Sequence, residues 1–99
     1  MGLNLYRLDE NHNPVECEDY AEVFKGDRHV VPRETINGCD ISTVFLTIDH
    51  SLSGGPPVLF ETMIFGGPFD KHEYQTRCCT WDEALVMHET ARQKVLALK

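Results

Sequence analysis

Asn37-Gly38 stands between two runs rich in β-branched residues, and this dipeptide accepts the two positive φ angles that a type I′ turn demands. A two-residue loop leaves the flanking strands one register, with Ile36 opposite Cys39 and, counting outward, Val31 opposite Val44. Pro32 has no amide to give to a ladder, which assigns its strand to the edge of a sheet. The middle of the chain is thereby committed to antiparallel β structure.

Ile41 to Ile48 and Val58 to Phe65 have the β-branched and aromatic density of central strands, separated by the breaker run Ser53-Gly54-Gly55-Pro56-Pro57. Val58 to Phe65 is apolar on both faces except at Glu61 and Thr62, which calls for cover on both sides by helix, loop or a second subunit. Leu3 to Leu8 reads as a further strand that returns through Val15 after the turn-forming residues 9–13 and Pro14, and Tyr74 to Cys79 as another. Asp19 to Lys25 carries Tyr20, Val23 and Phe24 at helical spacing and stops at Gly26, which predicts a short helix.

Thr80-Trp81-Asp82-Glu83 has the form of a capping box. From there Trp81, Ala84, His88, Ala91, Val95 and Leu98 recur at spacings of three and four, with Leu85 beside them, so an amphipathic helix should bury this stripe. Lys94 and Lys99 suit its C-terminal end. The expected fold class is therefore α+β: a single domain over residues 1–99, with an antiparallel meander of about 4 to 6 strands packed by the C-terminal helix, plus the short N-terminal helix.

Hydrophobic residues at 41% distinguish the chain from disordered sequences. A formal charge of -7 with scattered basic residues speaks against nucleic acid as a direct ligand and is compatible with docking on a basic protein surface. No apolar run approaches membrane-spanning length, and Met1 to Arg7 lacks the features of a secretory leader, so the expectation is a cytoplasmic protein whose four cysteines are reduced.

Five side chains are candidates for ligand binding: Asp49, His50, Glu61, Trp81 and His88. His88 is the polar member of the buried stripe and should point toward the sheet, where its ring nitrogens need partners. Asp49-His50 lies where a strand runs out into the Gly/Pro loop, a place that either punctuates a hairpin or presents functional groups. Glu61, in mid-strand, requires a partner, for which His88, His50 or an arginine would serve. No catalytic residue is assigned, because neither a GxSxG serine nor a cysteine beside a clear base occurs. No metal and no cofactor are expected, since C-x-x-C, H-x-x-x-H, HExxH, Walker A and GxGxxG are all missing.

The blocks Ser42-Thr43-Val44-Phe45-Leu46, Asp49-His50, Gly55 to Gly67, Tyr74-Gln75, Thr80 to Ala84 and His88 together resemble a widespread family of small phage and prophage proteins. The likeness covers about the last two-thirds of the chain, and its FETM-FGG and TW-EA blocks are its most specific parts. Similar proteins often have Gly where this chain has Met87, and Ser or Tyr where it has Cys78 and Cys79, which weakens any shared metal role for those thiols. The resemblance implies a phage-encoded accessory protein acting in the host bacterial cytoplasm, with no activity that carries over.

Three functions compete on these grounds. The first is a non-enzymatic inhibitor of a host defence protein, anti-CRISPR-like, that binds a basic nuclease or effector. The second is a small-ligand or nucleotide-signal sponge with a pocket between sheet and helix, completed in some arrangements by a homodimer. The third is a small hydrolase using Asp49, His50, Glu61 and His88, whose turnover Glu61→Gln or His88→Ala would abolish.

Overall fold

The computed structural model describes residues 5–19, 21, 28–49, 51, 54–71 and 73–98. Its strands are β1 (Leu5–Leu8), β2 (Pro14–Cys17), β3 (Glu34–Ile36), β4 (Cys39–Phe45), β5 (Phe60–Phe65) and β6 (Tyr74–Cys78). A 3-10 turn, Gly67–Asp70, joins β5 to β6, and the helix α1 spans Trp81–Leu96. β1 and β2 form a two-stranded hairpin, while the other strands build one antiparallel sheet in the order β3-β4-β5-β6. The α+β class holds. The short helix expected over Asp19 to Lys25 falls mainly on positions outside the described residues.

The Asn37-Gly38 turn sets the hairpin as its chemistry requires: φ is 51° at Asn37 and 77° at Gly38, and Ile36 lies opposite Cys39. The register does not continue to Val31. Val44 pairs instead with His29 in an isolated bridge, a slip of two residues that falls across the segment containing Pro32, where the ladder lacks a donor. Pro32 thus lies just ahead of the edge strand β3.

β4 stops at Phe45, three residues before the expected end. Thr47 takes a φ of 65° and the Ile48 amide returns to the Leu46 carbonyl at 2.8 Å, a γ-turn that turns the chain out of the ladder. The exit has a structural use: the Thr47 carbonyl accepts the Tyr6 amide at 2.8 Å and Ile48 bridges to Leu5, which couples the N-terminal hairpin to the main sheet.

Alternation sorts β4 and β5 into two faces. Cys39, Ile41, Thr43 and Phe45 on one strand, and Phe60, Thr62 and Ile64 on the other, are buried beneath α1. α1 begins with the full capping box: Thr80 Oγ1 accepts the Glu83 amide at 3.1 Å and Glu83 Oε1 accepts the Thr80 amide at 3.1 Å. It then buries Ala84, His88, Ala91 and Val95. Leu85 is not part of this face; it is 40% exposed. Nor is β5 covered equally on both sides, because Met63 is half-buried and Phe65 is 42% exposed.

The apolar core consists of two clusters. One gathers Tyr6, Val30, Phe45, Leu59, Phe60 and Ala84 at the N-terminal end of α1; the other gathers Cys39, Ile41, Ile64, Ala91 and Val95 toward its C-terminal end. Trp81 seals the first cluster, edge-on to Phe60 and stacked on His12 of the β1-β2 turn with ring centroids 4.0 Å apart.

At Gly66 the backbone has a φ of 99°, and a Cβ added there would lie 2.5 Å from the Gly38 carbonyl oxygen. The end of β5 and the Asn37-Gly38 turn can approach this closely only with glycine. Gly66→Ala is expected to cost at least about 2 kcal/mol in urea unfolding, whereas Gly55→Ala, at an open position, should stay within roughly 0.5 kcal/mol of the parent.

Candidate functional site

Between the two apolar clusters lies one polar layer, assembled from the central buried position of each element. Thr43 sits between Ile41 and Phe45 on β4, Thr62 between Phe60 and Ile64 on β5, and His88 between Ala84 and Ala91 on α1. The ladder places Thr43 opposite Thr62, and their hydroxyls are hydrogen-bonded. Small residues at 84 and 91 let the helix approach closely enough for the imidazole to reach the sheet, with Nδ1 2.7 Å from Thr43 Oγ1.

The other ring nitrogen faces Glu34 on β3, Nε2 to Oε1 at 3.0 Å. Glu34 Oε2 accepts Arg92 Nε at 2.9 Å, and Arg92 Nη1 also reaches Glu89. The ionised carboxylate can only accept, so Nε2 bears a proton and donates to Glu34, and in the singly protonated tautomer Thr43 donates to Nδ1. Thr43 in turn accepts from Thr62. Every donor then points the same way, from the sheet through the histidine to the edge-strand carboxylate.

This row has the composition of a nucleophile, base and acid, but its hydroxyl is sealed. Thr43 has 0% exposure and His88 4%, so in this arrangement no acyl or phosphoryl group can reach the Thr43 oxygen. What the row does is satisfy buried polar groups and tie α1 to both β4 and β3. Hydrogen bonds first from His88 and then from Arg92 hold the Glu34 carboxyl below the usual carboxylate range.

The expected site residues do not assemble in one place. Glu61 lies on the sheet face turned away from α1, where Oε2 accepts Arg77 Nε at 2.9 Å and also the Gln75 amide. An arginine is therefore its partner, and the buried face belongs to its neighbour Thr62. Asp49 Oδ1 accepts the amides of Ser51 and Val58, both at 2.8 Å, and so clamps the Gly/Pro loop. Trp81 is engaged with His12 and Phe60, His88 with Thr43 and Glu34. His50 lies outside the described residues.

Glu34, Thr43, Thr62 and Arg92, which complete the network, were not among the residues singled out from sequence. The signal for three of them was present. Pairing Ile36 with Cys39 puts Glu34 opposite Ile41, on the buried face, and each threonine interrupts an otherwise apolar alternating set. Arg92 has no comparable mark.

One open depression, of about 490 Å³, lies beside the first half of α1 and is lined by Cys78, Asp82, Glu83, Val86 and Met87. Burial and then the Glu83 charge push the Cys78 thiol up to about 11, and burial, Glu83 and Asp49 raise Cys79 as well. Thiols so shifted are poor nucleophiles and poor metal ligands. Among the described residues no group of His, Cys, Asp and Glu is arranged to hold a metal ion, and no helix is long and apolar enough to cross a membrane. Compared with models of known protein families, with curated proteins and with solved structures, the chain finds no match.

Because Glu34 has a lower pKa folded than unfolded, its contribution is complete above the unfolded carboxylate value and is lost as pH falls through the folded one. Glu34→Gln should therefore lower stability at pH 7 and flatten the decline of stability on the acid side. His88→Ala, which also opens a cavity and strands Thr43, should cost roughly 2 to 4 kcal/mol at pH 7. Urea unfolding between about pH 3 and 7 checks both, because that window spans the carboxylate titration.

Proposed function

We propose that this chain is a non-enzymatic accessory protein of phage or prophage origin that inhibits a host defence protein by binding it. The observation that carries the reading is where the reactive side chains are spent. His88 is locked between Thr43 and Glu34, Glu61 is held by Arg77, and Asp49 by the loop it clamps. What the fold presents outward is charge: Glu10, Glu18, Asp19, Glu73 and Asp82 are exposed, on a chain whose formal charge is -7. Arg33, Arg77 and Arg92, by contrast, are paired within the chain to Asp40, Glu61 and Glu34.

An acidic surface of this kind attracts basic protein surfaces and repels nucleic acid, which supports a partner such as a nuclease that is itself basic. The resemblance to small phage proteins supplies the setting, a bacterial cytoplasm under phage attack. A ligand sponge is less well supported, since the space between α1 and the sheet is filled by Ala84, His88, Ala91 and Val95.

Expressed in hosts that carry a CRISPR or restriction nuclease, the chain is expected to restore plating of a targeted phage. It should also bind the purified nuclease with an affinity that falls steeply as salt rises from about 0.05 to 0.5 M. Glu61→Gln should leave inhibition intact if the protein stays folded, which separates binding from hydrolysis. Unchanged interference against every nuclease tried, or binding indifferent to salt, would sink the proposal.

A further inference from the structure

The two edges of the main sheet are finished differently. β3 is three residues long, follows Pro32 and points the charged Glu34 inward, all features that discourage a further strand. β6 has none of them. Tyr74–Cys78 pairs with β5 in unbroken register, contains neither proline nor lysine, and its one charge, Arg77, is neutralised within the chain by Glu61. Among the described residues nothing pairs with its outer side.

A second observation lies at the centre of this strand. Thr76 pairs with Thr62 and so extends the row Thr43-Thr62 to the edge of the sheet, yet its Oγ1 is buried with no hydrogen-bond partner among the described residues. A buried hydroxyl left unpaired is costly, so its position marks where a partner belongs.

We propose that β6 is the interface of a homodimer, in which a second copy adds its own β6 antiparallel about a twofold axis through Thr76. The axis sets Thr76 opposite Thr76 of the second copy, where the two hydroxyls can bond after rotation about χ1, and the threonine row then runs unbroken through both chains. Gln75 meets Arg77 of the copy, and Tyr74 meets Cys78, so no like charges oppose one another along the strand.

The helix layer matches the same axis. α1 runs antiparallel to β6, with Lys94 over the Tyr74 ring at 6.0 Å and Asp82, Glu83, Val86 and Met87 around Cys78 at the other end. The twofold axis brings the Tyr74 and Lys94 end of one chain to the Cys78 end of the other. The open depression would receive Tyr74 of the copy, and Lys94 of the copy would face the Asp82 and Glu83 carboxylates. It would also cover Val86, which is 68% exposed in the single chain.

The test is sedimentation of the full chain over a concentration series, with circular dichroism to confirm that each variant folds. The parent should reach the mass of two chains. Lys94→Glu, which sets like charges against each other at both ends of the interface, should weaken dimerisation by about tenfold, and Asp82→Lys combined with Lys94→Glu should restore most of the loss. Thr76→Cys should give a disulfide-linked dimer on mild oxidation, tested in a chain with Cys17→Ser, Cys78→Ser and Cys79→Ser, so that of the native thiols only the buried Cys39 remains. A parent that stays monomeric at every concentration overturns the proposal, and so does a dimer that is indifferent to Lys94→Glu and cannot be linked through position 76. Phage plating by the same variants reads the inhibitor function separately, so failure of one reading leaves the other standing or falling on its own data.

Discussion

A helix can cover a sheet only if the space between them is filled, and here the middle of that space is filled by polar groups. The His88 imidazole, gripped by Thr43 on one side and Glu34 on the other, joins α1 to the β3-β4 hairpin, 45 residues away in sequence at Thr43 and 54 at Glu34. Ala84 and Ala91, helix members of the apolar clusters to either side, contribute little volume, so the histidine between them fills much of the space under this part of the helix. Losing the imidazole would remove the contact and also leave a buried hydroxyl without its acceptor, so the layer is retained or lost as a unit.

Such a layer also fixes register. Sliding β4 against β5 by one residue would turn Thr43 to the open face, away from Thr62, and bring Ser42 or Val44 under the histidine. Two purely apolar strands would have resisted that slip less, since Val44 could replace Phe45 with only a change of volume. The hydrogen-bonded row therefore adds specificity to a sheet whose outer face mixes Met63 and Phe65 with Glu61, Gln75 and Arg77.

Local rules carried far in this sequence. The Asn37-Gly38 turn, the capping box at Thr80 and the helix stripe with its inward histidine each rest on short-range stereochemistry, and the structure has all of them. Failures arose where a local pattern meets a tertiary event. The register beyond Glu34 slips because the Pro32 segment leaves the ladder, and the strand after Phe45 ends in a γ-turn at Thr47, a β-branched residue that seldom adopts positive φ. Glu61 drew attention as a charge in an apolar run, whereas the residue that mattered to the buried network was the adjacent, less conspicuous Thr62. Deciding between them required knowing which face α1 would cover, and alternation alone leaves that choice open.

On the proposed reading the protein acts by binding, without chemistry of its own. A buried nucleophile-base-acid row that no substrate reaches is a structural device. Thiols raised by burial and nearby carboxylates and a glutamate neutralised by arginine do not make a reaction centre. On that proposed reading the folded chain is a scaffold with an acidic exterior, and each loop or side chain that need not be ordered on association spares affinity. The polar layer lies at the centre of that scaffold, and it fixes the helix whose outer side carries Asp82, Glu83 and Val86. The internal network and the external surface are thus two sides of one helix, and the hydrogen bonds on the first determine how the second is presented.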